Sequence, residues 1–251
     1  MLSYFRKTRR KLLSGNSFIK YSRYAIGEII LVMVGILLAL QVNNWNENKK
    51  IKQEEIKILK ELKRSISNDL KSLKVKIEMD QRKLAFLKFI KREILLDEPQ
   101  NDSISEAFAM VLQTQIFKEE VGPYEVLKSK GLSLISNDSI REQIISIYEK
   151  RYIFVKNNQE NKFIDEKYVQ EYNTKLFDNI AYADRISNIH YYREIKPHNF
   201  ELLKSDKIYN TILNTKIAQT EYLIDFIFGN AKNSVEIILA NLDKEIDRLE
   251  N

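Results

Sequence analysis

The chain has 251 residues, 44% apolar and 30% charged, with six Gly, three Pro and no Cys. So few turn formers, with Lys, Glu, Leu and Ile abundant, argue against an all-β fold and for an all-α one, while the lack of Cys excludes disulfides and thiolate metal sites. The net charge of +6 resides in residues 1–46, where seven basic side chains meet the single acid Glu28, and residues 47–251 are neutral, which excludes a basic nucleic-acid binder.

Residues 1–23 read as a basic cytoplasmic arm, in which Leu2, Phe5, Leu12 and Leu13 lie among the cations and can rest on anionic headgroups. Residues 24–43 follow as a transmembrane helix. Its apolar stretch, Tyr24 to Val42, reaches about 28 Å at ~1.5 Å per residue, close to a ~30 Å hydrocarbon layer. Lys20, Tyr21, Arg23 and Tyr24 mark one interface and Trp45 the other. The run exceeds the apolar core of a signal peptide and no small-x-small cleavage site follows it, so the helix is expected to be kept. Thr8-Arg9-Arg10-Lys11-Leu12-Leu13 looks like a twin-arginine signal, but the apolar run starts too far downstream, and the pair reads as basic flank. Lys and Arg are nearly balanced across the span. The acid-free arm decides the orientation: N-terminus inside, residues 44–251 in the periplasm, the span in the inner membrane. Glu28 is costly in lipid. It shares a helix face with Leu31, Gly35 and Ala39, a small-xxx-small surface on which a second copy can pack.

Beyond the membrane, residues 44–98 predict a long juxtamembrane amphipathic helix, with Ile51, Ile58, Leu62, Ile66, Leu70, Leu73, Ile77, Leu84, Leu87 and Ile94 at three- and four-residue steps. Its length suits a coiled coil or stalk, but the apolar seam drifts, so a bundle helix is the better reading. Residues 99–251 predict an α-helical bundle domain. Asp97–Asn101 breaks the first helix, and Ser103-x-x-Glu106 reads as a capping box opening a second helix to about Phe117. Gly122-Pro123 starts a short helix that Gly131 stops. Ser139-x-x-Glu142 reads as another capping box, before the stripe Ile140, Ile144, Ile147, Tyr148, Tyr152 and Val155. Interruptions near Asp184–Asn188 and at Pro197 precede a last helix or pair, Asn199 to Leu249, weak at Gly229-Asn230. The hexapeptide Asn-Asp-Ser-Ile-x-Glu occurs at 101–106 and 137–142. It resembles an O-glycosylation acceptor, but the capping role explains it and ties up the hydroxyl.

Two segments resemble the signatures of a family of uncharacterised membrane proteins from Bacteroidota, mostly flavobacteria. One runs from Tyr24-Ala25-Ile26-Gly27-Glu28-Ile29 to Gln41-Val42-Asn43-Asn44-Trp45-Asn46-Glu47, after a similar basic opening. The other is Tyr124-Glu125-Val126-Leu127-Lys128-Ser129-Lys130-Gly131, with Leu134-Ile135-Ser136-Asn137 and then Arg141, Ile144 and Tyr148. The resemblance implies a retained anchor, an envelope location and a helical outer domain, and supplies no activity, cofactor or catalytic residue.

The residues themselves signal no chemistry. His190, Glu194 and His198 have metal-ligand spacing, but Pro197 breaks the helix that would align them, and no metal site is assigned. No phosphate loop, nucleophile elbow or His-Glu-x-x-His is present. Carboxylates sit at helix-surface spacings, as in Glu61/Arg64 and Glu245/Arg248. The tyrosines and phenylalanines from Tyr148 to Tyr209 read as a core stripe, with ligand binding the alternative. The expectation is a membrane-anchored, non-enzymatic envelope protein, with no cofactor, that binds a protein partner or senses a ligand. The alternative is an enzyme whose site is assembled from sequence-distant residues.

Overall fold

A computed structural model describes residues 18–112, 115–177 and 195–251; the side chains of residues 18–21, 161–168 and 170 are left aside with the remainder. Residues 1–17 of the basic arm, Asp184–Asn188 and the side chains of Lys20 and Tyr21 lie outside the described residues, while residues 18–23 of the arm already belong to the first helix. The described chain is all-α, with eight α-helices and no strand: α1 Phe18–Leu95, α2 Asp102–Met110, α3 Gly122–Lys130, α4 Asp138–Ser146, α5 Ile153–Asn173, α6 Phe200–Ser205, α7 Lys207–Tyr222 and α8 Gly229–Glu250. Six-residue π-helical turns, Ile147–Tyr152 and Leu223–Phe228, join α4 to α5 and α7 to α8 without a break. The chain divides into two units, Met1–Glu54 and Glu55–Asn251.

In the first unit α1 is one uninterrupted helix whose apolar stretch has a mean hydropathy of 2.4, long and apolar enough to cross a membrane. Its large apolar side chains from Ile26 to Val42 are all exposed.

In the second unit Ile58, Ser65 and Glu93 of α1 are buried beside a seam formed by Glu55, Leu59, Leu62, Ile66, Asp69, Leu73, Lys76, Asp80, Lys83, Leu87, Ile90 and Ile94. The seam positions alternate four and three residues apart from end to end, the spacing of left-handed helix packing. The apolar residues alone seem to drift because five seam positions carry ionisable groups; the drift belongs to the composition, not to the packing. One apolar cluster gathers around Leu59, Leu62, Ile66 and Leu73, and a second around Leu87, Ile90, Phe108 and Phe177.

The π turns follow from register. From Ile140, Ile144 and Ile147 a strict alternation would next bury 151, 154 and 158, whereas the buried residues are Tyr152, Val155 and Gln159. Along α7, buried Thr220, Leu223 and Ile227 point to 230 and 234, whereas Ala231 and Val235 are buried. Each π turn absorbs one extra residue and returns the seam to the core. Ion pairs between α1 and the continuous α7–α8 helix record the same step. From Lys60–Glu250 to Lys74–Glu236 both helices advance fourteen residues; from there to Lys88–Glu221, α1 advances fourteen and its antiparallel partner fifteen. Surface pairs of this kind contribute at most ~1 kcal/mol each, so their role is orientation and register.

Of four helix boundaries, the third falls where expected and the other three differ. The N-caps of α2 and α4 are Asn101 and Asn137, whose side chains accept from Ile104 N–H and from the Ser139 and Ile140 N–H groups. Ser103 and Ser139 lie two residues past the caps, inside the first turn, and both are exposed. The repeated hexapeptide thus places an Asn cap, an Asp in the first turn and a buried Ile at both helix starts. Second, α2 stops at Met110, because Phe117 is held in a non-helical segment by Gln159. Third, Gly131 ends α3 with φ 99°, the positive value that glycine permits. Fourth, Gly229 does not break the last helix. It donates its N–H to the Ile224 carbonyl five residues back, closing the π turn.

A Cβ on Gly229 would lie 3.1 Å from the Ile224 oxygen. Gly→Ala inside an ordinary helix adds roughly 0.5–1 kcal/mol of stability. Gly229→Ala is expected instead to lower it, by about 1 kcal/mol, in urea unfolding of the detergent-solubilised chain. A gain of ordinary size would contradict the close approach.

Candidate functional site

The face expected to pack in the membrane is present as a surface. Glu28, Leu31, Gly35 and Ala39 are all exposed on one uninterrupted helix, at steps of three and four that keep them on one side. Apart from the helix's own backbone and Gly35's chain neighbours, nothing lies within 4 Å of where a Gly35 Cβ would stand, so the notch is open. Arg23 is exposed, Tyr24 half-buried, and Trp45 exposed with the Lys49 ammonium 5.8 Å from its ring centroid.

The second unit contains a polar arrangement that sequence reading missed: buried seam groups of α1 grip two stretches of non-helical backbone. Glu55 is 3% exposed. Its Oε1 accepts from the Ser136 N–H at 2.7 Å and from the Ser136 hydroxyl at 2.9 Å. The next residue, Asn137, donates to Glu245 on α8 at 2.8 Å, and Arg248 donates to the same carboxylate. The Arg248 bond, with that of Asn137, holds Glu245 below the usual carboxylate range despite its burial. Arg141 donates to the Ile135 carbonyl at 2.9 Å, closing the turn from within. The loop 131–137 is thereby tied to α1, α4 and α8.

Residues 115–121, a strap across the bundle, are held in the same manner. Ser65 on α1 donates to the Glu120 carbonyl at 2.7 Å, and the Glu120 N–H donates to Asp69 Oδ1 at 2.9 Å. Asn68 reaches the Glu120 carboxylate at 3.2 Å. From α5, Gln159 takes both groups of one peptide residue: it accepts from the Phe117 N–H at 2.9 Å and donates to the Phe117 carbonyl at 3.1 Å. Beneath the strap the Tyr124 and Tyr148 rings stack at 4.4 Å, Tyr152 meets Tyr148 edge-on, and Phe117 meets Tyr152 at 5.6 Å. Burial raises the phenol pKa of Tyr148 and Tyr152, so both stay neutral. Burial also pushes the Asp69 carboxyl up to about 6, with the charges of Glu120 and Glu119 adding to it against the hydrogen bonds that it accepts.

Between the two apolar clusters the α1 seam is polar. Lys76 and Asp80 form a buried ion pair, and the Lys76 ammonium lies 4.9 Å from the Phe228 ring centroid. Lys83 on α1 and Thr220 on α7 are also buried in their helices.

Of the expected aromatic stripe, Tyr148, Tyr152, Phe177 and Tyr209 are buried, whereas Phe154 is exposed, displaced from the seam by the π turn. His190 and Glu194 lie outside the described residues, so the His190–Glu194–His198 spacing has no geometry here. Among the described residues no three of His, Asp and Glu are placed to hold a metal ion. A cavity of about 30 Å³ lined by Phe108, Phe177, Ile195 and Tyr209 has room for one water, not for an organic ligand. The arrangement around α1 holds backbone in place.

Residues 28–195, two thirds of the chain, match the model of a family of unknown function, DUF6090, and the chain belongs to that family. No curated protein and no solved structure matches it. The matched stretch holds the Glu28–Ala39 face, the α1 seam, the strap and the 131–137 loop, and ends at Ile195, before α6.

Gln159→Leu keeps volume and leaves two buried backbone groups of Phe117 unpaired. It is expected to cost about 2 kcal/mol in denaturant unfolding, whereas Gln159→Glu, which keeps only the acceptor, costs at least as much at neutral pH.

Proposed function

We propose that this chain is a single-pass protein of the inner membrane, with its N-terminus in the cytoplasm and a periplasmic helical module, and that it acts by binding a protein partner or sensing a ligand, without catalysis. The observation that carries the reading is the uncovered apolar surface of α1, where every large aliphatic side chain from Ile26 to Val42 is exposed. Water does not tolerate a continuous apolar surface of that extent, and a bilayer covers it at no cost. The basic, acid-free arm favours the stated orientation. The 34 basic and 34 acidic side chains of residues 47–251 give no support to nucleic acid as a partner.

Within the bilayer, Glu28, Leu31, Gly35 and Ala39 offer the surface for a second copy. A homo-oligomer formed there would bring two modules onto one anchor pair and give a partner a bivalent target. A role without catalysis is supported by Glu55 and Asp69 being engaged in holding backbone and by Lys76 and Asp80 pairing with each other.

Orientation is directly measurable because the chain has no cysteine. A Ser14→Cys variant is expected to resist a membrane-impermeant maleimide in intact cells, and an Asn233→Cys variant to react. The opposite pattern reverses the topology, and release of the chain by carbonate wash removes the anchor. For self-association, Gly35→Ile is expected to lower dimerisation of the membrane helix at least several-fold in a bilayer assay. Unchanged dimerisation would remove this face as the contact.

A further inference from the structure

We propose that Trp45, Lys49 and Lys52 form a site for anionic phospholipid headgroups at the C-terminal end of the membrane span. The inference rests on the reading of α1 as a span and holds in either orientation. Val42 ends the apolar stretch, and Trp45 follows three residues later, 68% exposed. At ~1.5 Å per residue the indole stands about 5 Å beyond the apolar stretch, at the depth of the headgroups. Lys49 and Lys52 follow four and seven residues on, both exposed and on the same side of the helix as Trp45.

Two features aim these cations at the bilayer. Along an α-helix each Cα–Cβ bond leans toward the N-terminus, which is here the direction of the apolar stretch. The Lys49 ammonium follows that lean and lies 5.8 Å from the Trp45 ring centroid, one turn back. A lysine at this end of a span therefore reaches down to phosphate oxygens, whereas one at the other end leans away from the membrane. Charge is also sorted round the helix. The exposed acids Glu47 and Glu54 lie about 160–180° from Trp45, and Lys50 stands between them at the three- and four-residue spacings of helical ion pairs. Glu55, the next acid, is buried and accepts from Ser136. From Val42 to Glu54, the Trp45 side thus carries two cations and no acid. Its ammonium groups and indole N–H donate, and a lipid phosphodiester accepts. The acyl chains of that lipid run along the apolar surface past Leu38, exposed seven residues before Trp45 on the same side. A zwitterionic lipid brings its own cation to compete with the lysines, so the site favours a headgroup of net negative charge.

Trp45 itself reads the test, since the chain has one tryptophan. The full chain is placed in nanodiscs of equal parts phosphatidylglycerol and phosphatidylcholine, with bromine on the acyl chains of one lipid or the other. Brominated phosphatidylglycerol is expected to quench Trp45 fluorescence as if enriched roughly threefold or more over phosphatidylcholine. Lys49→Gln/Lys52→Gln is expected to bring the two lipids level. Lys50→Gln/Lys57→Gln, which removes as much charge from the side of Glu47 and Glu54, is expected to keep the preference. Equal quenching by the two lipids in the wild type, or quenching by neither, would overturn the site and leave the span standing. So would a preference that survives in Lys49→Gln/Lys52→Gln or is lost as fully in Lys50→Gln/Lys57→Gln. A chain that does not stay with the discs would overturn the span as well.

Discussion

Five ionisable side chains stand in the buried seam of α1, and the architecture around that helix is what makes their burial tolerable. Glu55, Asp69, Lys76, Asp80 and Lys83 occupy positions where a simple bundle would carry Leu or Ile. A charge taken out of water must find a partner, and removing one partner of such a pair commonly costs 3–5 kcal/mol. Facing helices cannot satisfy acceptors with their own backbone, since their N–H groups are already used within the helix. Two of the seam's carboxylates, Glu55 and Asp69, are met instead by N–H groups of residues that are in neither helix nor strand, Ser136 for Glu55 and Glu120 for Asp69. Lys76 and Asp80 solve the problem along the helix, one turn apart. The non-helical segments are therefore part of the core of the module.

The same seam explains the irregularities elsewhere. It runs without interruption from Glu55 to Ile94, so the helices packed on it must adjust. Each of the two long partners, α4–α5 and α7–α8, is one residue too long for the alternation, and each takes up that residue in a π turn. Gly229 stands where the second turn closes, its N–H five residues from its acceptor and its α-carbon facing a carbonyl too close for a comfortable Cβ. The lysines along α1 and the acids along α7–α8 then hold the corrected register at the surface.

Much of the architecture was legible in the sequence. The helical class follows from composition, and the long exposed apolar stretch of α1 from an apolar run at bilayer length. Several ends came from turn chemistry, among them Pro123 at the start of α3 and Gly131 at its close. What escaped did so for physical reasons. A period sought in apolar residues alone cannot see a seam in which Asp69, Lys76, Asp80 and Lys83 are core positions. Ser-x-x-Glu matched the capping pattern, but Asn101 and Asn137, two residues earlier, are equally good caps with the geometry to act. A π turn has no composition of its own and shows only as a one-residue phase change, visible once burial is known. The pairing of Glu55 with Ser136, 81 residues apart, is a tertiary fact with no local signal. The residues that resembled a family signature, Tyr124, Ser136, Asn137, Arg141 and Tyr148, turn out to be those that tie α3, the loop and α4 to the module.

The central claim is that backbone outside the helices is held by the buried carboxylates of α1 as firmly as the helices themselves. Native-state hydrogen exchange of the Ser136 amide against that of Ile66, in the middle of α1, tests it most directly. Both amides are expected to open only with global unfolding and to give the same opening free energy and the same response to added denaturant. A Ser136 amide that exchanges orders of magnitude faster, through local fluctuations insensitive to denaturant, would show that the loop merely lies on the bundle and that Glu55 does not hold it.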